Sequence, residues 1–151
     1  MKTGDWRWLG LLSLPLFAPW VLVTWDGGWY VLCSVLWVDP GPRIVTMPEF
    51  LWQARFAVAS RTLATTWPVG LALYLGGLLA AFLRPDGRVL SASLLWLSGL
   101  MILFYGLGIA TRPGLVALPF GTLAAWGAAW ATYRGPRERM DMDLHPGSSE
   151  R

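Results

Sequence analysis

Residues 89–111, VLSASLLWLSGLMILFYGLGIAT, carry no charged side chain. A helix in water needs a polar face, and this stretch offers none at any phase of the turn, so it must be buried all round, in protein or in lipid. Residues 114–133 are likewise free of charge. A chain of 151 residues is too short to build a soluble core around several such helices. The implied solvent is a bilayer, and composition agrees: 55% of the residues are hydrophobic and 14% charged, against about 25% charged in an average soluble domain.

Working outward, the pattern predicts four membrane spans, at residues 8–25, 67–83, 89–110 and 115–133. The first, 18 residues long, is about 27 Å as a helix, close to a hydrocarbon core of about 30 Å. Pro15 and Pro19 lie inside it and predict a kink. Lys2 and Arg7 give it a signal-peptide-like start, but residues 23–26 (VTWD) lack a small-x-small cleavage site, so it reads as an uncleaved span. Pro68 suits the first turn of the second span, and residues 84–88 (RPDGR) and 111–114 (TRPG) are turns. Residues 134–151 form a polar tail that cannot bury enough apolar area to order itself.

Residues 26–66 are the longest stretch between spans. Asp26-Gly27-Gly28 is a turn signal. Residues 29–38 are apolar but too few to cross as a helix, and 43–47 can return as a short strand, giving a small hairpin or an irregular interfacial segment. Pro48, with Glu49 behind it, starts an interfacial helix. The fold class expected is therefore an all-α, four-helix transmembrane bundle (residues 1–133) with a partly helical extracytoplasmic segment between spans one and two, and a disordered cytoplasmic tail.

Charge sets the orientation. With the N-terminus inside, Lys2, Arg7, Arg84, Arg88, Arg134, Arg137, Arg139 and Arg151 lie inside and only Arg43, Arg55, Arg61 and Arg112 outside. That bias follows the positive-inside rule and puts both termini of a multi-pass cell-membrane protein in the cytoplasm. The arginine excess fits a GC-rich genome and not a nucleic-acid partner, because the basic residues sit at the ends of apolar runs.

Chemistry-bearing residues are sparse. Cys33 is the only cysteine, which excludes an internal disulfide and a cysteine metal site. His145 and its acidic neighbours lie in the tail, and the sequence nominates no catalytic residue, no metal ligand and no cofactor. An outer polar cluster of Asp39, Arg43, Glu49 and Arg55 reads chiefly as surface ion pairs. No ionisable residue lies within the four spans, where ion-coupled transport usually places one. The polar groups there are hydroxyls, among them Tyr74, Ser91, Ser98, Tyr105 and Thr122, suited to bonds with backbone or a neighbouring helix.

Small residues at four-residue spacing nominate two helix-packing faces, Ala72, Gly76 and Ala80 in the second span and Ala117, Gly121, Ala125 and Ala129 in the fourth. The chain is Trp-rich, with eleven tryptophans. Trp6, Trp8, Trp25, Trp29 and Trp67 fall near span ends as an aromatic belt, while Trp29, Trp37 and Trp52 could form a surface for a quinone, lipid or sugar.

LPLFAPW at 14–20, LWVDP at 36–40, TMPEFL at 46–51 and TWPVGL at 66–71 carry one resemblance. The chain resembles a family of small uncharacterised four-span membrane proteins of halophilic archaea, over nearly its whole length except the tail. That family has no assigned activity, so the resemblance implies no functional residue. The leading functional expectation is a structural or accessory subunit, its partners the lipid bilayer and a membrane-protein partner or a second copy, with no nucleic acid. The alternatives are a small transporter or channel component acting as an oligomer, and a membrane-embedded enzyme acting on a lipid or isoprenoid.

Overall fold

The computed structural model describes residues 10, 12–38, 41, 44–54, 61–83 and 87–134. In chain order these give a 3-10 turn (Leu14–Leu16), strands β1 (Val21–Trp25), β2 (Gly28–Leu32), β3 (Leu36–Val38) and β4 (Ile44–Thr46), helices α1 (Met47–Ala54), α2 (Arg61–Leu83) and α3 (Arg88–Ala110), strand β5 (Val116–Leu118) and helix α4 (Phe120–Arg134).

The all-α, four-helix expectation is overturned. The strands form one antiparallel sheet in the order β4-β3-β2-β1-β5. Among the described residues only two helices are long and apolar enough to cross a membrane, at Thr65–Leu83 and Arg88–Ala110. The expected first span at 8–25 is broken instead. A helical turn ends near Ser13, the 3-10 turn follows, and residues 21–25 run as β1. Pro15 and Pro19 remove two backbone donors in one short stretch, and the β-branched run that follows finds a hairpin partner across Asp26-Gly27, with Trp25 opposite Gly28. The expected fourth span at 115–133 divides at Pro119. Residues 116–118 pair with β1, and the 15 residues of α4 reach only about 22 Å.

Other expectations hold. The return strand expected at 43–47 is β4, and the helix expected from Pro48 is α1. The second helix starts earlier than expected, at Arg61, so that Pro68 lies inside it. The turn between α3 and β5 is fixed by Gly114, whose φ of 79° is the left-handed value that a Pro-Gly turn of type II requires after Pro113.

The helices pack on a seven-residue repeat. Ser98 Oγ donates to the Gly70 carbonyl at 2.7 Å and Ser91 Oγ to the Gly77 carbonyl at 2.7 Å. Glycines 70 and 77 are one heptad apart, as are serines 91 and 98, so antiparallel α2 and α3 meet through matched small residues. One residue further on, Gly99 and Gly106 carry a second seam. Thr122 Oγ1 donates to the Gly99 carbonyl at 3.2 Å, and a Cβ on Gly106 would lie 3.2 Å from Pro119 Cβ. The hydroxyls point inward and the bulk points outward. Ser91, Ser98 and Thr122 are buried, whereas Leu79, Leu83, Val89, Phe104, Leu107 and Leu123 are exposed.

The sheet packs one face on the helices. Val21, Val23, Leu32 and Val45 are buried on that face. Trp20 links sheet and bundle: its N–H donates to the Leu32 carbonyl at 2.7 Å, and its carbonyl accepts from the Gly121 N–H at 2.8 Å.

A Cβ on Gly77 would sit 2.8 Å from Leu95 Cγ and 3.2 Å from the Leu95 backbone nitrogen, so Gly77→Ala should cost about 1–3 kcal/mol by overpacking. Gly127, with open space around its Cβ position, is the matched control. Gly127→Ala should stabilise α4 by about 0.5–1 kcal/mol. Unfolding of both variants in mixed micelles checks the opposite signs, and equal effects would refute the seam.

Candidate functional site

Two regions bring functional side chain types together, and they lie at opposite ends of the bundle. The first is an aromatic layer between the sheet's inner face and the helices. Alternation along β1 and β2 puts Trp25 and Tyr30 on the inner face, Trp25 at its exposed margin, and β3 adds Trp37 opposite Leu32. The rings follow one another in contact: Trp25 to Tyr30 at 6.1 Å, Tyr30 to Trp37 at 4.6 Å, Trp37 to Phe50 of α1 at 5.3 Å, and Phe50 to Trp67 of α2 at 5.2 Å. Trp20 and Tyr74 meet separately at 6.0 Å.

Most polar tips in this layer are engaged by backbone. Trp67 Nε1 donates to the Ser34 carbonyl at 3.0 Å, and Ser34 Oγ donates to the Leu16 carbonyl at 2.6 Å. Trp20 Nε1 reaches the Pro15 carbonyl and Tyr74 Oη the Leu12 carbonyl, at 2.8 and 2.6 Å. Ser34 thus ties the 3-10 turn, the sheet and α2 at one residue. Trp37 Nε1 is the exception among the described residues, buried with no hydrogen-bond partner.

The Tyr30 hydroxyl is hydrogen-bonded to Tyr105 of α3, within Coulomb range of Arg112. Burial pushes Tyr30 above its ordinary value of 10.0; the Tyr105 bond and the Arg112 charge pull the other way without cancelling it. Burial also raises the Cys33 thiol, which keeps it protonated and a weak nucleophile at neutral pH.

The second region is a groove of about 300 Å³ between α3 and α4, lined by Ala92, Ser93 and Trp96 on one side and Trp126, Trp130 and Tyr133 on the other. Its floor depends on Gly99. A Cβ there would come within 2.5 Å of the Trp126 ring, and its absence lets that indole lie flat on Trp96, with centroids 5.5 Å apart and planes 16° from parallel. Trp126 Nε1 donates to the Trp96 carbonyl at 3.2 Å. At the open end the Arg134 guanidinium lies over the Trp130 ring, 4.1 Å from its centroid.

The residues nominated from sequence are placed as follows. Asp39, Arg43, Arg55, His145, Trp6, Trp8 and the tail beyond residue 134 lie outside the described residues. Glu49 is exposed on α1 and has an interaction partner. Ala72 is exposed, Gly76 and Ala80 are half-buried, and the close approach of α2 to α3 runs through Gly70 and Gly77 instead. Gly121, Ala125 and Ala129 are buried on α4, and Ala117 faces inward on β5.

Trp29, Trp37 and Trp52 do not converge: Trp29, opposite Thr24, is on the outer face of the sheet, Trp37 is on the inner face, and Trp52 is exposed on α1. Trp67 is a fully buried core residue and not part of a belt. The groove residues went unnoticed in the sequence, although Trp126, Trp130 and Arg134 stand at four-residue spacing on one helical face. Among the described residues no group of three or more His, Cys, Asp or Glu could hold a metal ion.

A family model described as a domain of unknown function (DUF8050) matches residues 2–142. No curated protein and no solved structure matches the chain.

The unpartnered indole N–H yields a comparison. Trp67→Phe loses a buried hydrogen bond and leaves the Ser34 carbonyl without that donor, whereas Trp37→Phe removes a donor that has no acceptor. Trp67→Phe should therefore be the more destabilising by about 1 kcal/mol. Denaturation midpoints of the two variants test this, and the reverse order would mean that Trp37 Nε1 has an acceptor in the protein as it stands in its native surroundings.

Proposed function

We propose that this chain, which belongs to the DUF8050 family, is an integral membrane protein acting as a structural or accessory subunit of a membrane complex. The observation that carries the reading is the direction of its polarity. Inside the bundle, Ser91, Ser98, Thr122, Tyr74 and Trp67 each give their hydrogen to a carbonyl of the chain itself. Outside, α2, α3 and α4 present Leu, Val, Phe and Trp. An exterior of this kind suits lipid or another membrane protein. An interior whose described polar groups are engaged, Trp37 Nε1 apart, offers a passing ion or a reacting substrate little to bind, which favours the accessory role over transport or catalysis.

In this reading the C-terminus is cytoplasmic; among the described residues no element before the sheet is long enough to carry the N-terminus to the same side, as the span expected at 8–25 would have done. Arg88 and Arg134 mark the inner ends of α3 and α4, and Arg112 stands at the opposite end. The sheet and α1 then face outward. The archaeal origin implied by the sequence resemblance belongs to the same proposal.

The full-length chain should stay with membranes through alkaline carbonate washing. Affinity purification in mild detergent should bring down one membrane-protein partner in stoichiometric amount, and a reporter that works only in the cytoplasm should be active at the C-terminus. Release by carbonate would refute the integral reading. A clean monomer from intact membranes would refute the accessory role alone.

A further inference from the structure

The groove between α3 and α4 has a shape that a helix–helix seam does not need. It runs along the helix axes from their basic ends inward, from the level of Val89 to that of Trp96 on α3, or about 10 Å. The Trp126 indole, bonded to the Trp96 carbonyl and seated against Gly99, is held in place as its floor. Ser93, Trp96, Trp130 and Tyr133 are all exposed, so the groove opens to whatever surrounds the bundle. Its volume is at the lower end of the range for small-molecule sites.

We propose that this groove binds one chain of an anionic phospholipid of the inner leaflet, with the lipid phosphate on Arg134. The inference rests on the membrane reading above. Two observations select this occupant. The first is direction: a lipid chain runs from the headgroup into the hydrocarbon, and the groove runs from Arg134 into the bundle along the same line. The second is charge. Arg134 stands over Trp130 at the basic end of a mostly apolar groove, and stacking on that ring fixes the plane of its guanidinium fork, whose N–H edges are the donors suited to phosphate oxygens. Basic pockets between helices on the cytoplasmic side are suited to anionic headgroups for this reason.

The test uses the full-length protein in phosphatidylcholine vesicles doped with a chain-brominated lipid, either phosphatidylglycerol or phosphatidylcholine, and reads quenching of tryptophan fluorescence. At equal mole fraction, brominated phosphatidylglycerol should quench more than brominated phosphatidylcholine. Arg134→Gln should weaken that preference by about fivefold, the effect of one arginine at an anionic surface. Ser93→Phe places a ring in the groove from an exposed position and should abolish the preference, with helical content unchanged by circular dichroism. Equal quenching by the two lipids in the parent chain would overturn the site and leave the membrane reading standing, whereas no quenching by either would remove both. A preference that survives both substitutions places the lipid elsewhere and overturns the proposal. So does cross-linking of the parent chain into a dimer that Ser93→Phe dissolves, because the groove is then a contact between copies.

Discussion

Everything else in this protein hangs on how closely α2, α3 and α4 approach one another, and that distance is set by glycine. Gly70 and Gly77 on α2 meet the backbone and side chains of α3, Gly99 on α3 does the same for α4, and Gly106 meets the ring of Pro119 just before α4. Lipid tails are as apolar as leucine, so burying leucine between helices gains little in a bilayer; contact area and hydrogen bonds must do the work. A missing side chain brings a carbonyl within reach of the neighbouring helix, and at three of these glycines a hydroxyl takes it, from Ser98, Ser91 and Thr122. Each such bond contributes on the order of 0.6 kcal/mol in a membrane setting. Their joint effect is larger in specificity than in energy, because a register slip of one residue would strand every hydroxyl at once.

The same closeness explains the groove. Gly99 admits Trp126 to the surface of α3, where the ring stacks on Trp96 and lines the groove beside the seam. A seam of small residues beside a tryptophan therefore makes a tight contact and an open channel side by side. The packing problem and the candidate site come from one local choice of residues.

The α2–α3 pair was legible from charge and hydropathy, since a charge-free run of that length has few alternatives. The helical reading of 8–25 and 115–133 failed because composition identifies the solvent of a segment and not its conformation. VLVTW at 21–25 and VAL at 116–118 are as apolar as any span, yet they are short, rich in valine and set off by Pro19 and Pro119, and they pair with each other. The return strand at 43–47 was legible because the turn residues 39–42 precede it and Pro48 starts a helix after it. Four-residue spacing of small residues reports on one face of one helix: on α4 it coincides with buried Gly121, Ala125 and Ala129, and on α2 the tightest contacts lie at Gly70 and Gly77. The seven-residue spacing of Gly70 with Gly77 and of Ser91 with Ser98 is equally visible in the sequence, and it is the period at which two antiparallel helices stay in register. The groove was less accessible, because it needs Trp96 of one helix to be known to face Trp126 of another.

On the membrane reading proposed above, a bilayer would also account for a property of the sheet that its own packing leaves unexplained. Its inner face is apolar because it lies on the helices, yet the outer face is apolar as well. Ile44, Val38, Val31, Leu22 and Leu118 lie in register as a row across all five strands, with no charged residue among them. Helix α4 begins at Phe120, about 21 Å along its axis from Arg134, which leaves about 9 Å of a 30 Å hydrocarbon core uncrossed on that side. Pro119 packs on Gly106, one turn short of the end of α3, so β5 and its partner β1 begin within that remaining depth. A strand at such depth must be apolar on both faces. It must also have its edge covered, because lipid offers no hydrogen bonds to backbone. β1 pairs with one side of β5 and α3 packs against the strand, which are the neighbours that the membrane reading requires there.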